Sequence, residues 1–304
     1  MASDSRIRFL EALGTRVLVA DGAMGTELQR AGLPPGQPGD RWTRDHPDRV
    51  EAIHRAYAEA GADLILTNTF GTNPWVLARY GLADAIDELA QAAARAARRA
   101  LRPDGFVVGD IGPTGALLAP LGDGTPEQFG DASLRLARAL LAGGADGIIV
   151  ETMTALEEAV AAVAAACEAG APFVIASMAF DRIKDGSFRT MMGVRPEQAA
   201  RALLQAGATV VGANCGTNMS VADFAQLTTV LRAAVDCPLM IQPNAGKPEL
   251  VDGAAVYRLS PQAFADGVRE VVAAGARIVG GCCGTTPAHI GALRQMVSST
   301  SQSA

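Results

Sequence analysis

The hydrophobic positions of the chain fall into eight short runs, each nearly all apolar and rich in Val, Ile and Leu. They occupy residues 17–20, 63–67, 106–109, 147–150, 173–176, 209–212, 239–242 and 277–280. A run without polar alternation is typical of a parallel strand that is buried on both faces. The pattern therefore predicts eight buried parallel strands.

The segments between these runs carry the start and stop signals of helices. Thr125 precedes Pro126 and is followed three positions on by Gln128, a pattern that predicts a capping box. Ser260 and Thr286 likewise stand directly before a proline. The tripeptide Ala-Gly-Ala comes just before three of the predicted strands, where glycine can end a helix in the left-handed conformation.

Eight strands that alternate with helices predict an α/β fold, either a closed (β/α)8 TIM barrel or a long open sheet. The barrel is favoured because eight strands close it and because no Pro-rich or Ser-rich linker divides the chain. We predict a single (β/α)8 barrel over residues 15–297. A lead-in of residues 1–14 precedes it, and a flexible tail of residues 298–304 follows it.

Composition and charge narrow the function classes. The 304 residues are 49% hydrophobic, which excludes a disordered chain, and their number excludes a disulfide-held miniprotein. The net charge of −6 argues against a nucleic-acid partner, since phosphate binding needs clustered Lys and Arg. No apolar run is long enough to span a membrane, and the N-terminus has no apolar signal-peptide core. We therefore predict a cytoplasmic protein without a membrane partner.

Polar side chains stand just after nearly every predicted strand. The chemistry of a (β/α)8 barrel lies at the carboxyl ends of its strands, so these residues are expected to share one rim. They are Asp21, Asn68, Asp110, Glu151, Ser177, Asn214, Cys215, Asn244, Cys282 and Cys283. The opposite ends of the strands carry mostly Ala, Gly and Pro, so the first rim is the predicted site.

Three of the five cysteines stand at this rim among glycines, and they predict a metal site. Cys215 follows the sixth predicted strand, and the adjacent Cys282 and Cys283 follow the eighth. Glycines on both sides would let the backbone turn the two neighbouring sulfurs toward one point. Three thiolates at ~2.3 Å would leave one position of a tetrahedral zinc open, as in catalytic zinc sites. Buried cysteines in glycine-rich turns, or a redox pair, are the alternatives.

An open zinc site with three thiolates suits an incoming thiol better than water, because its net charge is negative. Coordination would deprotonate a thiol whose free pKa is about 8.5 and make it a nucleophile. If that thiol belonged to an amino acid, Asp21 and Glu151 could accept its ammonium group. The backbone N–H groups of Gly22, Ala23 and Met24, in the turn after the first strand, could hold its carboxylate.

Six motifs, in this order along the chain, resemble the homocysteine S-methyltransferase family. They are DGAMGTE at 21–27, TNTF at 67–70, GDIGPTG at 109–115, GANC at 212–215, QPNAGKP at 242–248 and GGCCGTTP at 280–287. The resemblance runs from about residue 15 to residue 295. Within the family it is nearest to the homocysteine-binding module of cobalamin-dependent methionine synthase.

The resemblance implies a (β/α)8 barrel that binds Zn²⁺ through Cys215, Cys282 and Cys283. It also implies that Asn244 can occupy the fourth position of the zinc before the substrate arrives. The implied reaction is the attack of a homocysteine thiolate on a donor methyl group, which gives methionine.

The resemblance places homocysteine against the turn from Asp21 to Met24 and against Glu151. Asn68 and Asp110, which stand at the same predicted rim, are further candidate substrate contacts.

The loops at the mouth depart from the family's pattern and leave the donor open. Residues 153–156 read Met-Thr-Ala-Leu where the family commonly has an Asp, and the loops 181–194 and 216–219 also differ. The donor is expected to come from outside the chain as a separate methylcorrinoid protein, so methylcobalamin would enter only through that partner. S-methylmethionine or another small onium donor, and a thiol acceptor other than homocysteine, are the alternatives.

Two interpretations outside methyl transfer have less support. A barrel glycosidase would need a second carboxylate after the seventh strand to act with Glu151, and that segment reads Gln242, Pro243, Asn244. A zinc-holding thiol sensor or subunit without catalysis would show a saturated fourth ligand and no pocket for an amino acid.

Overall fold

Eight parallel strands form a nearly closed barrel in a computed structural model that describes residues 2–251 and 254–301. The strands are β1 (Leu18–Val19), β2 (Leu64–Leu66), β3 (Phe106–Ile111), β4 (Gly147–Met153), β5 (Val174–Met178), β6 (Val210–Asn214), β7 (Leu239–Gln242) and β8 (Ala276–Val279). Their neighbour order is β1-β8-β7-β6-β5-β4-β3-β2. A bridge from Ala20 to Leu64 and a 2.6 Å hydrogen bond from the Asp63 N–H to Val19 O join β1 to β2. The predicted α/β barrel is confirmed.

Helices surround this barrel. Those in the described residues are α1 (Ala2–Thr15), α2 (Met24–Arg30), α3 (Trp42–Asp45), α4 (Pro47–Glu59), α5 (Pro74–Ala78), α6 (Ile86–Ala100), α7 (Pro126–Ala142), α8 (Leu156–Glu168), α9 (Pro196–Gln205), α10 (Val221–Ala234), α11 (Pro261–Ala273) and α12 (Pro287–Ser301). Short 3₁₀ helices span Gly39–Arg41 and Ala83–Ala85. Residues 302–304 of the predicted flexible tail lie outside the described residues.

Two hairpins extend the loops at the carboxyl ends of the strands. Asp181–Arg182 pairs with Phe188–Arg189 in the loop after β5, and Glu249–Val251 pairs with Ala254–Val256 in the loop after β7. Both pairings are antiparallel. These loops therefore add structure at the end of the barrel where the candidate site lies.

The predicted helix signals act as expected. The Thr125 side chain accepts a hydrogen bond from Gln128 N–H while the Gln128 side chain accepts one from Thr125 N–H, so the predicted capping box forms at the start of α7. Ser260 caps α11 by accepting from Ala263 N–H. Gly275, just before β8, has a φ of +109° that side chains with a Cβ rarely adopt.

The segment assigned above to a lead-in is helix α1, and it fills the amino end of the barrel. Phe9 is fully buried in the cluster of side chains inside the barrel. Its ring stacks on Phe173 with centroids 3.7 Å apart and meets Phe106 edge-on at 5.4 Å. Burying an aromatic side chain of this size contributes roughly 2–3 kcal/mol. Residues 2–15 thus contribute to the core of the domain.

Ionic clusters tie the amino ends of the strands together. Asp63, which is 1% exposed, lies between the guanidinium groups of Arg16, Arg102 and Arg294. Its Oδ2 also accepts a hydrogen bond of 2.9 Å from Val19 N–H. Burial would raise its pKa, but Arg294 and the other partners outweigh burial and lower the pKa of Asp63 below the usual aspartate value. This carboxylate is a charged link between strands and helices.

Candidate active site

The carboxyl ends of β6 and β8 bring three thiols together. The Sγ atoms of Cys215, Cys282 and Cys283 lie within 4.8 Å of one another, and those of Cys282 and Cys283 are 4.0 Å apart. All three are free thiols and half-buried. Cys215 directly follows β6 with a φ of +61°, a left-handed conformation that is uncommon for a residue with a Cβ. The structure therefore clusters the three cysteines named as candidate ligands.

The adjacent cysteines converge because β8 ends before them. The strand stops at Val279, so Cys282 and Cys283 lie in a turn where the alternating side chains of a strand do not apply. The Cys282 N–H donates to Pro243 O at 2.8 Å, and the Ala245 N–H donates to Cys283 O at 3.0 Å. The loop after β7 thus holds the cysteine turn in place.

Hydrogen bonds within the cluster shift the pKa values of Cys282 and Cys283 in opposite directions. Hydrogen bonds from Cys215 and Cys282 lower the pKa of Cys283 to about 3, and a hydrogen bond from the Tyr257 hydroxyl acts in the same direction. Its hydrogen bonds with Cys215 and Cys283 raise the pKa of Cys282 well above the usual thiol value. Sulfurs bound to a tetrahedral zinc at ~2.3 Å lie about 3.8 Å apart. The donor type and the spacing of the cluster both fit a zinc ion.

Asn244 supplies an oxygen beside this cluster. The side chain is 3% exposed, and its Nδ2 donates to Gly216 O at 2.8 Å, next to Cys215. Its Oδ1 is buried and has no hydrogen-bond partner among the described residues. A buried carbonyl oxygen without a partner is costly, so this atom is suited to a ligand that the structure does not contain.

Three carboxyl groups form a cluster that reaches the thiols through Glu151, which lies near Cys283. Asp21 and Asp110 are 3% and 4% exposed, and within the described residues neither they nor Glu151 form a salt bridge. Burial raises the pKa of Asp21 and of Asp110 well above the usual aspartate value, and their mutual repulsion with Glu151 adds to the shift. Burial, with the nearby Cys283, raises the pKa of Glu151 to about 7.

The polar atoms of these carboxyl groups are only partly used. Asp21 Oδ2 accepts a hydrogen bond of 2.9 Å from Leu66 N–H. Asp110 Oδ1 is buried and has no partner among the described residues. Asp110 and Glu151 lie inside β3 and β4 rather than after them, because both strands run further than the hydrophobic runs predicted. The arrangement leaves an acidic pocket that can accept a positive group.

The turn from Asp21 to Met24 is packed against the cysteine turn. A Cβ on Gly22 would lie 2.6 Å from Thr285 Oγ1, so only glycine fits there. The Ala23 N–H donates to that same Oγ1 at 3.1 Å, which leaves this N–H unavailable to a ligand. The Tyr57 hydroxyl donates to Ala23 O at 3.0 Å and lies 3.2 Å from Thr285 O. One of the three predicted carboxylate donors is thus already used by the fold.

The side-chain amide of Asn68 donates hydrogen bonds to neighbouring loop residues, so it offers no free N–H to the acidic pocket. Its Nδ2 donates to Gly39 O at 2.9 Å and to Thr43 Oγ1 at 3.1 Å. Both hydrogens of this amide are therefore occupied by the protein, and a substrate contact would have to use its Oδ1.

Sequence analysis missed two residues of the site. Tyr257 donates a hydrogen bond to Cys283 from the loop after β7, and nothing in the sequence around it indicates that contact. Asn214 was noted at a strand end, but no role was assigned to it. It is fully buried and contacts both the thiol cluster and the acidic pocket, which a buried polar residue next to Cys215 could have suggested.

Comparison with known proteins decides the family. The sequence model described as homocysteine S-methyltransferase matches residues 18–297. The chain belongs to the homocysteine S-methyltransferase family. It is 38% identical over 295 residues to methionine synthase of Mycobacterium tuberculosis, and 38% identical over 299 residues to that of Mycobacterium leprae. The alignment covers 92% of this chain and 24% of each relative, so the chain spans about a quarter of their length.

A solved structure of this family has the same fold. The metallated form of the homocysteine methyltransferase MmuM from Escherichia coli matches with a TM-score of 0.74 and 27% identity over 92% of this chain and 96% of that one. The resemblance inferred from the six motifs is confirmed, and with it the predicted class, a methyltransferase family whose acceptor is homocysteine. No helix in the described residues is long and apolar enough to cross a membrane. The cytoplasmic location stays a prediction.

Proposed function

We propose that this member of the family is a zinc-dependent homocysteine S-methyltransferase that gives methionine. The observation that carries the proposal is the convergence of Cys215, Cys282 and Cys283 beside carboxyl groups that form no salt bridge within the described residues. A thiol amino acid needs those two features side by side, one for its sulfur and one for its ammonium group. The family membership and the likeness to MmuM support the same acceptor.

The cysteine trio would hold the zinc. When bound, zinc supplies the positive charge that deprotonates an incoming thiol near neutral pH. Asn244 Oδ1, which is buried and has no hydrogen-bond partner among the described residues, would be a further ligand. Tyr257 donates a hydrogen bond to Cys283, which would moderate the negative charge on that sulfur.

The acidic pocket would bind and orient the substrate. Asp21 and Glu151 would accept the ammonium group, and binding that cation would lower the raised pKa values that burial gives them. The N–H groups of Gly22 and Met24 would hold the carboxylate, since that of Ala23 is already used. Asp110, whose Oδ1 has no hydrogen-bond partner among the described residues, would border the ammonium from β3. Asn68 would contact the substrate only through its Oδ1, because its Nδ2 is used by the protein.

The methyl donor would reach the site through the open carboxyl end of the barrel. Large apolar side chains are exposed on the loops there, including Phe70, Leu121, Met191 and Leu250. An apolar rim of this kind suits a protein partner better than a small water-soluble donor. Together with the likeness to methionine synthase, this favours a separate methylcorrinoid protein over S-methylmethionine.

A methyl-transfer assay tests the proposal. Purified protein is incubated with homocysteine and, in turn, methylcobalamin, S-methylmethionine, betaine and methylated folate, and methionine is quantified. We expect methionine from at least one donor and none from the Cys282→Ser variant. A Cys167→Ser variant is the control, because that thiol lies outside the cluster. Full activity and full zinc content in Cys282→Ser would refute the metal site, and no product with any donor would refute homocysteine as the acceptor.

A further inference from the structure

One side chain, that of Asn214, joins the thiol cluster to the acidic pocket. It lies at the end of β6 and is fully buried. Its Oδ1 accepts hydrogen bonds from Thr152 N–H at 3.0 Å and from Ser177 Oγ at 2.7 Å. Its Nδ2 donates to Thr152 Oγ1 at 2.6 Å and lies 3.5 Å from Glu151 Oε2 and 3.7 Å from Cys282 Sγ.

The orientation of this amide is fixed by its partners. A backbone N–H can only donate, so the atom that faces Thr152 N must be the oxygen of Asn214. The nitrogen then faces Glu151 and Cys282, both of which are acceptors when ionised. The nitrogen of this one amide therefore contacts both the acidic pocket and the thiol cluster.

Two strained residues lie on either side of this amide. Thr152 has a φ of +59° and Cys215 a φ of +61°, and they are the described residues other than glycine with positive φ. A β-branched residue such as Thr152 is a clear outlier in this region. Such a conformation persists when surrounding contacts hold it, and the two hydrogen bonds between Thr152 and Asn214 do so here. Cys215 is the next residue in the chain after Asn214.

The amide contacts a candidate substrate ligand and a candidate metal ligand. Thr152 directly follows Glu151, and Asn214 contacts both the backbone of Thr152 and the carboxylate proposed to bind the ammonium group. Asn214 also places an N–H beside the sulfur of Cys282. Hydrogen bonds to a ligand sulfur reduce its charge and fix its direction, and their loss typically weakens metal binding 10–100-fold.

We infer that Asn214 is a positioning residue, which holds the left-handed turn at Thr152 and hydrogen-bonds the Cys282 sulfur. The inference rests on the proposed function in one respect, that the thiol cluster holds zinc. Asn214 touches no reacting atom, and it acts through Glu151 and Cys282.

Metal binding and spectroscopy of the full chain test the sulfur contact. Zn²⁺ affinity is measured by competition with a chromophoric chelator, and the Co²⁺-substituted protein is scanned for its sulfur-to-metal charge-transfer band. In Asn214→Ala we expect at least tenfold weaker Zn²⁺ binding and a band at longer wavelength, because a sulfur without its hydrogen bond is easier to oxidise. Ser177→Ala removes a bond to Oδ1 but leaves Nδ2 in place, so both readings should stay at the wild-type values.

A double-mutant cycle tests the backbone contact. Glycine adopts positive φ without strain, so in the Thr152→Gly variant the left-handed turn no longer depends on the hydrogen bonds with Asn214. Asn214→Ala should therefore lower the melting temperature of the metal-free wild type by about 3–6 °C, and that of Thr152→Gly by much less. If Asn214→Ala alone does not fold, the double variant carries the metal measurements.

The outcomes separate the inference from the proposed function. Unchanged Zn²⁺ affinity and band position in Asn214→Ala, with equal melting losses in both backgrounds, would overturn the inference. A wild-type protein that binds neither Zn²⁺ nor Co²⁺ would refute the metal site and the sulfur contact with it. The melting cycle would still decide the backbone contact in that case.

Discussion

The two ends of the barrel use buried carboxylates in opposite ways. At the amino end, Asp63 is surrounded by three guanidinium groups, which lower its pKa. At the carboxyl end, Asp21, Asp110 and Glu151 have no cationic partner in the described part of the chain, and burial raises their pKa values. The same residue types thus stabilise the fold at one end and await a ligand at the other. Burial alone does not distinguish a structural carboxyl group from a functional one. The presence or absence of a cationic partner does.

The largest expected effect is at the amino end. Replacing Asp63 by Asn would leave three arginines facing a neutral amide, and breaking such a buried cluster typically costs about 3–5 kcal/mol of unfolding free energy. Denaturant unfolding measures this loss. The control is Asp104→Asn, since Asp104 also pairs with Arg102, at 2.8 Å, but is 73% exposed. That variant should change stability little.

The second effect is on ligand binding at the carboxyl end. Glu151→Gln removes a proposed partner of the substrate ammonium group, so the KM for homocysteine should rise about 100-fold, or roughly 2.7 kcal/mol. Its stability should not fall, because burial already disfavours the charged form of Glu151. Steady-state kinetics and unfolding of the same preparation measure the two quantities. A Glu151→Gln variant that lost stability but kept the wild-type KM would contradict this, because Glu151 would then stabilise the fold as Asp63 does.

The smallest effect is a gain in stability. Because the pKa of Asp110 is raised in the folded state, that state binds the proton more tightly, and stability falls as pH rises through the folded pKa. Asp110→Asn avoids this loss, so it should be more stable than wild type by about 1 kcal/mol at pH 8. The gain should vanish below about pH 4, where the unfolded carboxyl is protonated as well. Unfolding at both pH values tests this, and a variant less stable at pH 8 would contradict it.

Asp63 should respond to pH in the opposite direction. Its folded pKa lies below the unfolded value, so its contribution is present above the unfolded pKa of about 3.9 and is lost as pH falls through the folded pKa. The stability difference between wild type and Asp63→Asn should therefore shrink in acid. A constant difference from pH 8 to pH 3 would show that the arginine cluster does not act through charge.

Much of the fold was predictable because strand burial leaves a strong signal. Each of the eight apolar runs overlaps a barrel strand, since side chains buried on both faces must be apolar. The ends of β3, β4 and β5 were less predictable. Asp110, Glu151 and Ser177 lie inside these strands because polar residues are tolerated where a strand enters a functional pocket.

Helix α1 was not predicted because its sequence is mostly polar and, among its described side chains, only Phe9 and Leu13 are buried, while Ile7 and Leu10 are exposed. Two buried side chains do not produce a clear periodic pattern. The ring of Phe9 stacks on Phe173, which is distant in sequence.

The candidate site was predictable in part. The residue type and the neighbouring glycines indicate a metal site at Cys215, Cys282 and Cys283. The strand order of the barrel brings their sulfurs together. The occupied N–H of Ala23 and the hydrogen bond from Tyr257 depend on tertiary contacts between distant turns. The local sequence does not indicate such contacts. The role of Asn214 is hidden for the same reason, because its partners come from two strands, β4 and β5, and from the turn after β8.

Zinc-edge X-ray absorption of the purified protein, before and after homocysteine is added, tests the proposed zinc site. We expect three sulfur ligands at ~2.3 Å and one lighter ligand in the free protein, and a fourth sulfur in place of the lighter ligand once homocysteine binds. Fewer than three sulfurs at the outset, or a sulfur count that homocysteine does not change, would contradict it.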